Sequence, residues 1–406
     1  MDVVVVGAGP AGVSAAITLA EAGRDVLVVD KARFPRDKCC GDGLTTGALR
    51  HLDRLGLDPA DVPSWQVVDD VLVRSPSGRE VRFPLPSGRG TYAAVARRTE
   101  LDAALVDLAR KAGAEVVEEA GLTGATHAGD RIVLDIDGVG TVAARYAIGA
   151  DGMWSPLRRA LKAGEPGYLG EWHAFRQYFS GVGPRAATEL FVWFEPDLLP
   201  GYAWSFPLAG GVANVGFGIQ RGGTVRTREM AELWPRLLER PHVRDVLGPD
   251  ATPEASHKAW PIPARVGTAA LTAASGRALF VGDAAAATDP LTGEGIGQAL
   301  TTGELAATSV LAAGARRPVE AARHYEAAVR RELVPDAALS RLLIRAVRQR
   351  KGARAAVRIA GTSAWTRRNF ARWLFEDYPR AYVATPGRWL QHSLAGDGAF
   401  TAKQPR

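Results

Sequence analysis

The chain is 406 residues long, carries 50 Lys+Arg against 44 Asp+Glu for a formal net charge of +6, and is 47% apolar. That length fits roughly two to three domains and that apolar share fills their cores, so disorder, collagen-like repeats and a disulfide scaffold are excluded. A surplus of six charges marks a nucleic-acid binder only where it is concentrated, and no nucleic-acid partner is expected.

The two cysteines, Cys39 and Cys40, are adjacent. A bridge between neighbours closes almost no loop, and two thiols assemble neither a zinc nor an iron–sulfur ligand set. His51, His127, His173, His242, His257, His324 and His392 are scattered without metal spacing, so no metal site is expected. No run reaches the roughly 18–20 apolar residues of a membrane span, and residues 1–12 lack the charged start and long apolar stretch of a signal peptide. The expectation is a cytoplasmic protein, with any membrane contact peripheral to the inner face of the cell membrane.

Residues 2–6, Asp2 and four valines, suit a strand buried on both faces of a parallel sheet. Gly7-Ala8-Gly9-Pro10-Ala11-Gly12 follows at once, then an alanine-rich helical stretch from Ser14 to Ala22, then a strand from Asp25 to Val29 that ends on Asp30. This is the βαβ dinucleotide fingerprint. Gly7 makes the turn, Gly9 lets a pyrophosphate approach the backbone, Gly12 lets helix and strand pack closely, and Asp30 accepts from ribose hydroxyls. The fingerprint alone does not separate FAD from NAD.

Segments 67–83 and 131–148 alternate apolar and polar residues between turns, which predicts antiparallel strands. Ala147-Ile148-Gly149-Ala150-Asp151-Gly152 ends one apolar run at an Asp/Gly pair, and Ala278-Leu279-Phe280-Val281-Gly282-Asp283 ends another. Strand ends of that kind are where an α/β sheet presents ligand-binding groups. Between them, Trp172–Ser180, Glu189–Phe194, Tyr202–Phe206 and Val212–Ile219 read as strands of a second sheet. Helical periodicity marks Arg226–Leu238 and dominates from Gly295 to about residue 375. No second glycine fingerprint follows a strand, so a separate NAD(P)H domain is not expected.

Together these elements resemble the glutathione-reductase-type flavoproteins of the para-hydroxybenzoate hydroxylase superfamily, over residues 1 to about 310. The resemblance implies FAD as cofactor, Asp283 on its ribityl chain, and Pro290 with the loop Gly293-Glu294-Gly295-Ile296-Gly297 along the isoalloxazine. It also implies that a helix over 295–313 aims its N terminus at the flavin N1/C2 carbonyl, where a helix dipole stabilises the anionic reduced ring. Arg98 matches the superfamily's FAD-contacting arginine, and Asp151, Gly152 and Gly282 fall in its cofactor elements. The expected fold is α/β (α+β), a Rossmann-like FAD-binding domain with an inserted antiparallel-sheet substrate domain and a helical C-terminal region. Its expected boundaries are 1–66, 92–155 and 272–330 for the first, 67–91 and 156–271 for the second, and 331–406 for the third.

Two further stretches narrow the family. Phe34-Pro35-Arg36-Asp37-Lys38-Cys39-Cys40-Gly41-Asp42-Gly43-Leu44 resembles the Lys-x-Cys-Gly-Asp-Gly segment of geranylgeranyl-reductase-family enzymes. Pro200-Gly201-Tyr202-Ala203-Trp204-Ser205-Phe206-Pro207 is similar to that family's Pro-x-Tyr-x-Trp-x-Phe-Pro element, and Asn214-Val215-Gly216-Phe217-Gly218 follows as in the family. On a strand, Tyr202, Trp204 and Phe206 share one face and can line an apolar tunnel for an isoprenoid chain, or equally form a core-facing row. The resemblance places Cys40 and Gly41 beside the flavin, where Cys40 can pack on the ring or donate a proton; Cys39 is read as incidental.

The activity this implies is saturation of C=C bonds of a prenyl chain by hydride from reduced-flavin N5, with electrons from an external NADPH or ferredoxin-type donor and a positioned proton source in a dry pocket. The main alternative is an FAD-dependent monooxygenase acting on an aromatic or polyketide-like substrate. A halogenase needs a lysine relay, and no lysine lies between Lys38 and Lys111. A quinone reductase of related fold carries an iron–sulfur module that two cysteines do not supply, and a silent prenyl carrier has no use for a flavin helix dipole.

The basic surplus is local. Residues 337–375 hold ten Lys/Arg and no Asp or Glu. Arg341, Arg345 and Arg348 are expected on one helix face and Leu339, Leu342, Leu343, Ala346 and Val347 on an apolar one, which suits contact with an anionic bilayer or a diphosphate head group.

Overall fold

The computed structural model describes residues 1–389 and 396–401, and His392 lies outside the described residues. Val3–Val6 is wholly buried, as a strand apolar on both faces must be. It sits inside a six-stranded sheet of order Thr272–Ala273, Ala278–Phe280, Tyr146–Gly149, Val3–Val6, Val26–Val29, Glu115–Val117. Every pairing is parallel except that of Thr272–Ala273 with Ala278–Phe280.

Helix α1 (Pro10–Glu21) follows the first strand, and α2 (Arg98–Lys111) precedes the edge strand. Helix α3 (Ile296–Ala313) returns from far along the chain to lie on α1. Small residues set that contact: a Cβ on Gly303 would stand 2.1 Å from the Ala11 carbonyl oxygen, and Ser14 donates to the Leu300 carbonyl at 2.8 Å.

The 131–148 segment divides. Arg131–Ile136 and Gly140–Ala144 are antiparallel strands of a small three-stranded sheet with Leu122–Ala128, as the alternation predicts. Tyr146–Gly149 departs from that reading and pairs in parallel with Val3–Val6. All four of its residues are buried, which fits a central strand covered on both sides.

The second sheet runs Thr252–Pro253, Trp172–Ser180, Val212–Gln220, Ala203–Leu208, Leu190–Trp193, Asp70–Arg74, Glu80–Pro84, with Lys258–Ile262 also on Trp172–Ser180. It is antiparallel but for one join, Leu190–Trp193 with Asp70–Arg74. That join brings a segment from early in the chain into the inserted sheet.

Helix α4 (Pro318–Glu332) packs on α3 and the first sheet, where Tyr325 donates to the Phe280 carbonyl at 2.6 Å, and α5 (Val334–Val347), α6 (Arg350–Ala360) and α7 (Ala364–Leu374) follow it, with α6 and α7 closing over the second sheet. Phe370 of α7 meets Phe83 with ring centroids 4.7 Å apart. On α5 and its C-cap, Arg341, Arg345 and Arg348 are exposed as expected, but the apolar face is rotated from the expected one. Ala337, Ser340, Ile344 and Val347 are buried, while Leu342 and Ala346 stand outside with the arginines. Ser340 fixes that phase by donating to Asp289 at 2.7 Å. No helix among the described residues is long and apolar enough to cross a membrane.

Candidate active site

A cavity of about 910 Å³ runs from the end of the first strand, between the two sheets, to the C-terminal helices. Its first part is the glycine loop. Gly7 has φ +104°, and a Cβ there would lie 2.3 Å from the Ala150 carbonyl oxygen, so the turn admits only glycine. A Cβ on Gly12 would lie 1.9 Å from the Gly7 carbonyl oxygen, which makes Gly12 a packing position outside the cavity. Gly9 is the open one: only the Arg36 guanidinium comes near, 3.6 Å from where its Cβ would be.

Asp30 is half committed. Its two carboxylate oxygens accept the Ala8 and Ala32 N–H groups, each at 2.8 Å, and retain lone pairs toward the cavity they line. Arg36 pairs with buried Asp102 at 2.8 Å. An uncapped helix N terminus, an open glycine and a guanidinium thus converge where a diphosphate fits. Arg36 gives no sequence signal beyond its place in the loop after the second strand.

Arg98 lines the same cavity and is buried, held by Asp102 through two bonds of 2.7 Å. Its positive charge lies beside the Cys40 thiol. Burial nonetheless pushes Cys40 above the usual thiol range, and burial pushes Cys39 up to about 12. Both therefore carry their proton at neutral pH. Cys40 accepts the Asp42 N–H at 3.3 Å, whereas Cys39 turns away to the Lys258 carbonyl at 3.5 Å.

Asp42 lies inside the Lys-x-Cys-Gly-Asp-Gly segment, where spacing alone gives it no role. It is fully buried with φ +66°, and its Oδ2 accepts from Tyr178 at 2.6 Å and Asn214 at 2.8 Å. Asn214 also donates to the Cys40 carbonyl at 2.8 Å. Burial raises Asp42 to about 6 against those hydrogen bonds and the cations Arg176 and Arg98. The left-handed turn at Asp42 is what turns the Cys40 loop back over the aromatic strand.

Tyr202 immediately precedes the Ala203–Leu208 strand, and Tyr202, Trp204 and Phe206 all face the cavity in one row, with centroids 6.1 and 6.0 Å apart. Gly216 lies opposite Trp204, and a Cβ there would stand 2.4 Å from the indole, so the indole needs that glycine. Cβ atoms on Gly41 and Gly43 would sit 3.4 and 3.3 Å from the Phe206 ring, so the cysteine loop rests on the row.

The third wall is the loop before α3. Gly282, Asp283, Pro290, Gly293, Gly295 and Ile296 line the cavity, as do Asp151 and Gly152. Asp289 shapes this loop by accepting the Leu291 and Thr292 N–H groups at 2.9 Å and pairing with Arg380 at 2.7 Å. Tyr202 donates to the Thr292 carbonyl, which ties the loop to the aromatic row. Lys38 pairs with Asp283 at 3.8 Å and lies 4.2 Å over the Trp260 ring.

Residues 1–331 match the family model described as an FAD binding domain. The chain is 38% identical to a menaquinone reductase of Mycolicibacterium smegmatis over 336 residues, 77% of either chain. It is 35% identical to digeranylgeranylglycerophospholipid reductase 2 of Methanopyrus kandleri over 320 residues, 75% of either chain. The chain belongs to the geranylgeranyl reductase family of FAD-dependent oxidoreductases. The fold is shared with a geranylgeranyl bacteriochlorophyll reductase-like protein of Thermoplasma acidophilum, with TM-score 0.79 and 22% identity, covering 95% of this chain and 98% of that one. FAD is the cofactor of this reductase-family enzyme, and the diphosphate cradle at Gly9 and Arg36 agrees with it.

Proposed function

We propose that the enzyme saturates C=C bonds in the prenyl tail of a lipid, with the tail of a menaquinone as the first substrate to test. The observation that carries this reading is the continuity of the cavity. Beyond Cys40 and the aromatic row it runs into an apolar chamber walled by Val71, Val192, Val347, Val357, Phe370 and Trp373. A chamber of that kind takes a branched hydrocarbon and offers a polar aromatic substrate few partners. The menaquinone and digeranylgeranylglycerophospholipid reductases that the chain resembles are named for prenyl-bearing lipids, which supports the same class.

Bound FAD, reduced by an external NADPH or ferredoxin-type donor, supplies a hydride at N5. The chain supplies the rest. Gly7, Gly9, Arg36 and Asp30 hold the nucleotide end, and Asp283, Pro290 and the 293–296 loop position the ring end. The aromatic row and the chamber align the chain and exclude water. Cys40, a thiol kept protonated by burial, delivers the proton to the second carbon.

The helices that wall the chamber also offer a way in from a bilayer. On their outer side Leu342, Ile359 and Trp365 are 59, 63 and 67% exposed among Arg341, Arg345, Arg354, Arg358 and Arg368. Apolar side chains set among arginines suit the surface of an anionic bilayer. Sedimentation with anionic and neutral vesicles tests this part: binding restricted to anionic vesicles and weakened by salt is expected, and no binding to either contradicts it. An anaerobic assay of the reduced enzyme with a prenyl quinone, read by mass spectrometry, tests the reaction. A gain of two mass units per bond is expected; turnover that requires oxygen points instead to the monooxygenase.

A further inference from the structure

Behind the loop that precedes α3, two carboxyl groups share one cation and a third lies close by without an ion pair. Arg380, with its side chain 1% exposed, pairs with Asp289 at 2.7 Å and with Glu376 at 2.9 Å. Its Nη2 also donates to Thr292 Oγ1 at 3.0 Å. Asp289 has a full set of donors in Leu291, Thr292, Ser340 and Arg380. Glu376 accepts from Gln298 at 3.1 Å as well.

Glu294 makes no ion pair among the described residues and feels Arg380 only at a distance. It is 8% exposed, and one of its oxygens accepts the Gly297 N–H at 2.5 Å. It lines the cavity one residue before Gly295, the N-cap of α3. An ionised carboxylate there would be stabilised by the helix dipole but would also occupy the positive end that an anionic ligand needs.

The surrounding charges do not supply the missing cation. Asp336 on α5 adds negative charge and is itself taken up by Arg388 at 2.9 Å. Arg50, on the helix Thr46–Arg54 whose Gly47 lies against Glu376, is bound to Asp377 at 2.6 Å. From the cavity side the neighbours of this cluster are the Tyr202 hydroxyl and the Cys40 thiol. Burial, first, and then the Glu376 charge hold Glu294 well above the ordinary carboxylate range. Burial and the charges of Asp289 and Asp336 raise Glu376 in the same way, against Arg380.

We propose that Glu294 and Glu376 form a proton store beside the N terminus of α3 that loads a proton when the flavin beside it becomes anionic, so that no carboxylate charge then competes with the ring for that helix end. Reduction of the bound cofactor takes two electrons from the donor and one proton at N5 and leaves one negative charge on the ring. That charge raises the proton affinity of the Glu294–Glu376 pair, and one carboxylate of the pair takes a second proton from solvent. When hydride leaves for the substrate the ring charge disappears and the store can release its proton. The store depends on the placement of FAD against α3 and not on which substrate is reduced.

The test is the midpoint potential of the FAD-loaded protein, measured against pH for the wild type, Glu294→Gln and Glu376→Gln. Each proton taken up per two electrons moves the potential by about 30 mV per tenfold change in proton concentration. The wild type is expected to show a one-proton slope at both ends of the pH range, and a slope approaching two protons between. Glu294→Gln is expected to keep the one-proton slope throughout, and Glu376→Gln to shift or narrow the steep region. The reduced-minus-oxidised infrared spectrum of the wild type should gain a protonated-carboxyl band that Glu294→Gln lacks. A wild-type potential with one-proton slope at every pH, or curves for wild type and Glu294→Gln that superpose, would overturn the proposal. A chain that retains no FAD after loading would instead contradict the cofactor assignment, so the two failures are distinct.

Discussion

The Trp204 indole donates to the Asn214 side-chain oxygen at 3.1 Å. Through this bond the aromatic row and the cysteine loop are held as one unit, because the Asn214 amide also reaches the Cys40 carbonyl and Asp42. Asn214→Leu would leave these three partners buried and short of a bond. Each such loss costs about 1–3 kcal/mol, so urea unfolding should show a stability lower by roughly 3 kcal/mol or more. An unchanged unfolding curve would separate Trp204 from the loop.

Cys40 is assigned a proton rather than a nucleophile's role because burial keeps its thiol neutral. Cys40→Ala should slow oxidation of the reduced flavin by prenyl substrate by roughly 100-fold or more, the scale of a lost general acid. Cys40→Ser should retain part of the rate, and both should bind FAD as the wild type does. Stopped-flow reoxidation without oxygen reads the effect. Cys40→Ala with wild-type rates would remove Cys40 from the mechanism.

Asp42 should make stability depend on pH. Its folded value is raised to about 6 by burial, from the ordinary aspartate value of 3.8. The folded state then binds more protons than the unfolded chain between those values, so this contribution is complete below pH 3.8 and declines until pH passes about 6. Asp42→Asn keeps an oxygen for Tyr178 and Asn214 and cannot ionise. Thermal unfolding of the variant from pH 4 to 7 should lack that decline, and parallel curves for the two proteins would contradict the assignment.

Much of this site was legible from local patterns. The glycine fingerprint, the Asp30 and Asp283 strand ends and the spacing of Tyr202, Trp204 and Phe206 each declare themselves within a dozen residues. Arg36, Asp42, Arg380 and Glu376 did not, because their meaning comes from partners 66 residues away in the case of Arg36 and Asp102, and 91 in that of Arg380 and Asp289. The C-terminal third carried no motif, yet it supplies the far wall of the chamber and the cation behind the loop that precedes α3. The face of α5 was misjudged at Leu342 for the same reason: tertiary bonds such as Ser340 to Asp289 set the rotation of that helix, and its apolar residues alone do not.

Arg36→Leu should weaken FAD binding about 10- to 100-fold, since it removes the guanidinium nearest Gly9. It also exposes Asp102 to a single partner, Arg98, so a modest loss of stability accompanies it. Equilibrium dialysis against FAD gives the affinity directly. Unchanged affinity would place the diphosphate away from this arginine.

The reaction itself is tested most directly by a single anaerobic turnover. The FAD-loaded enzyme is reduced with dithionite, freed of excess reductant and mixed with a menaquinone that bears an unsaturated prenyl tail. The account predicts that the flavin reoxidises while the tail gains two hydrogens per flavin, with the added mass on the tail and not on the ring. A flavin that stays reduced until oxygen is admitted, with no gain of mass in the tail, would contradict it.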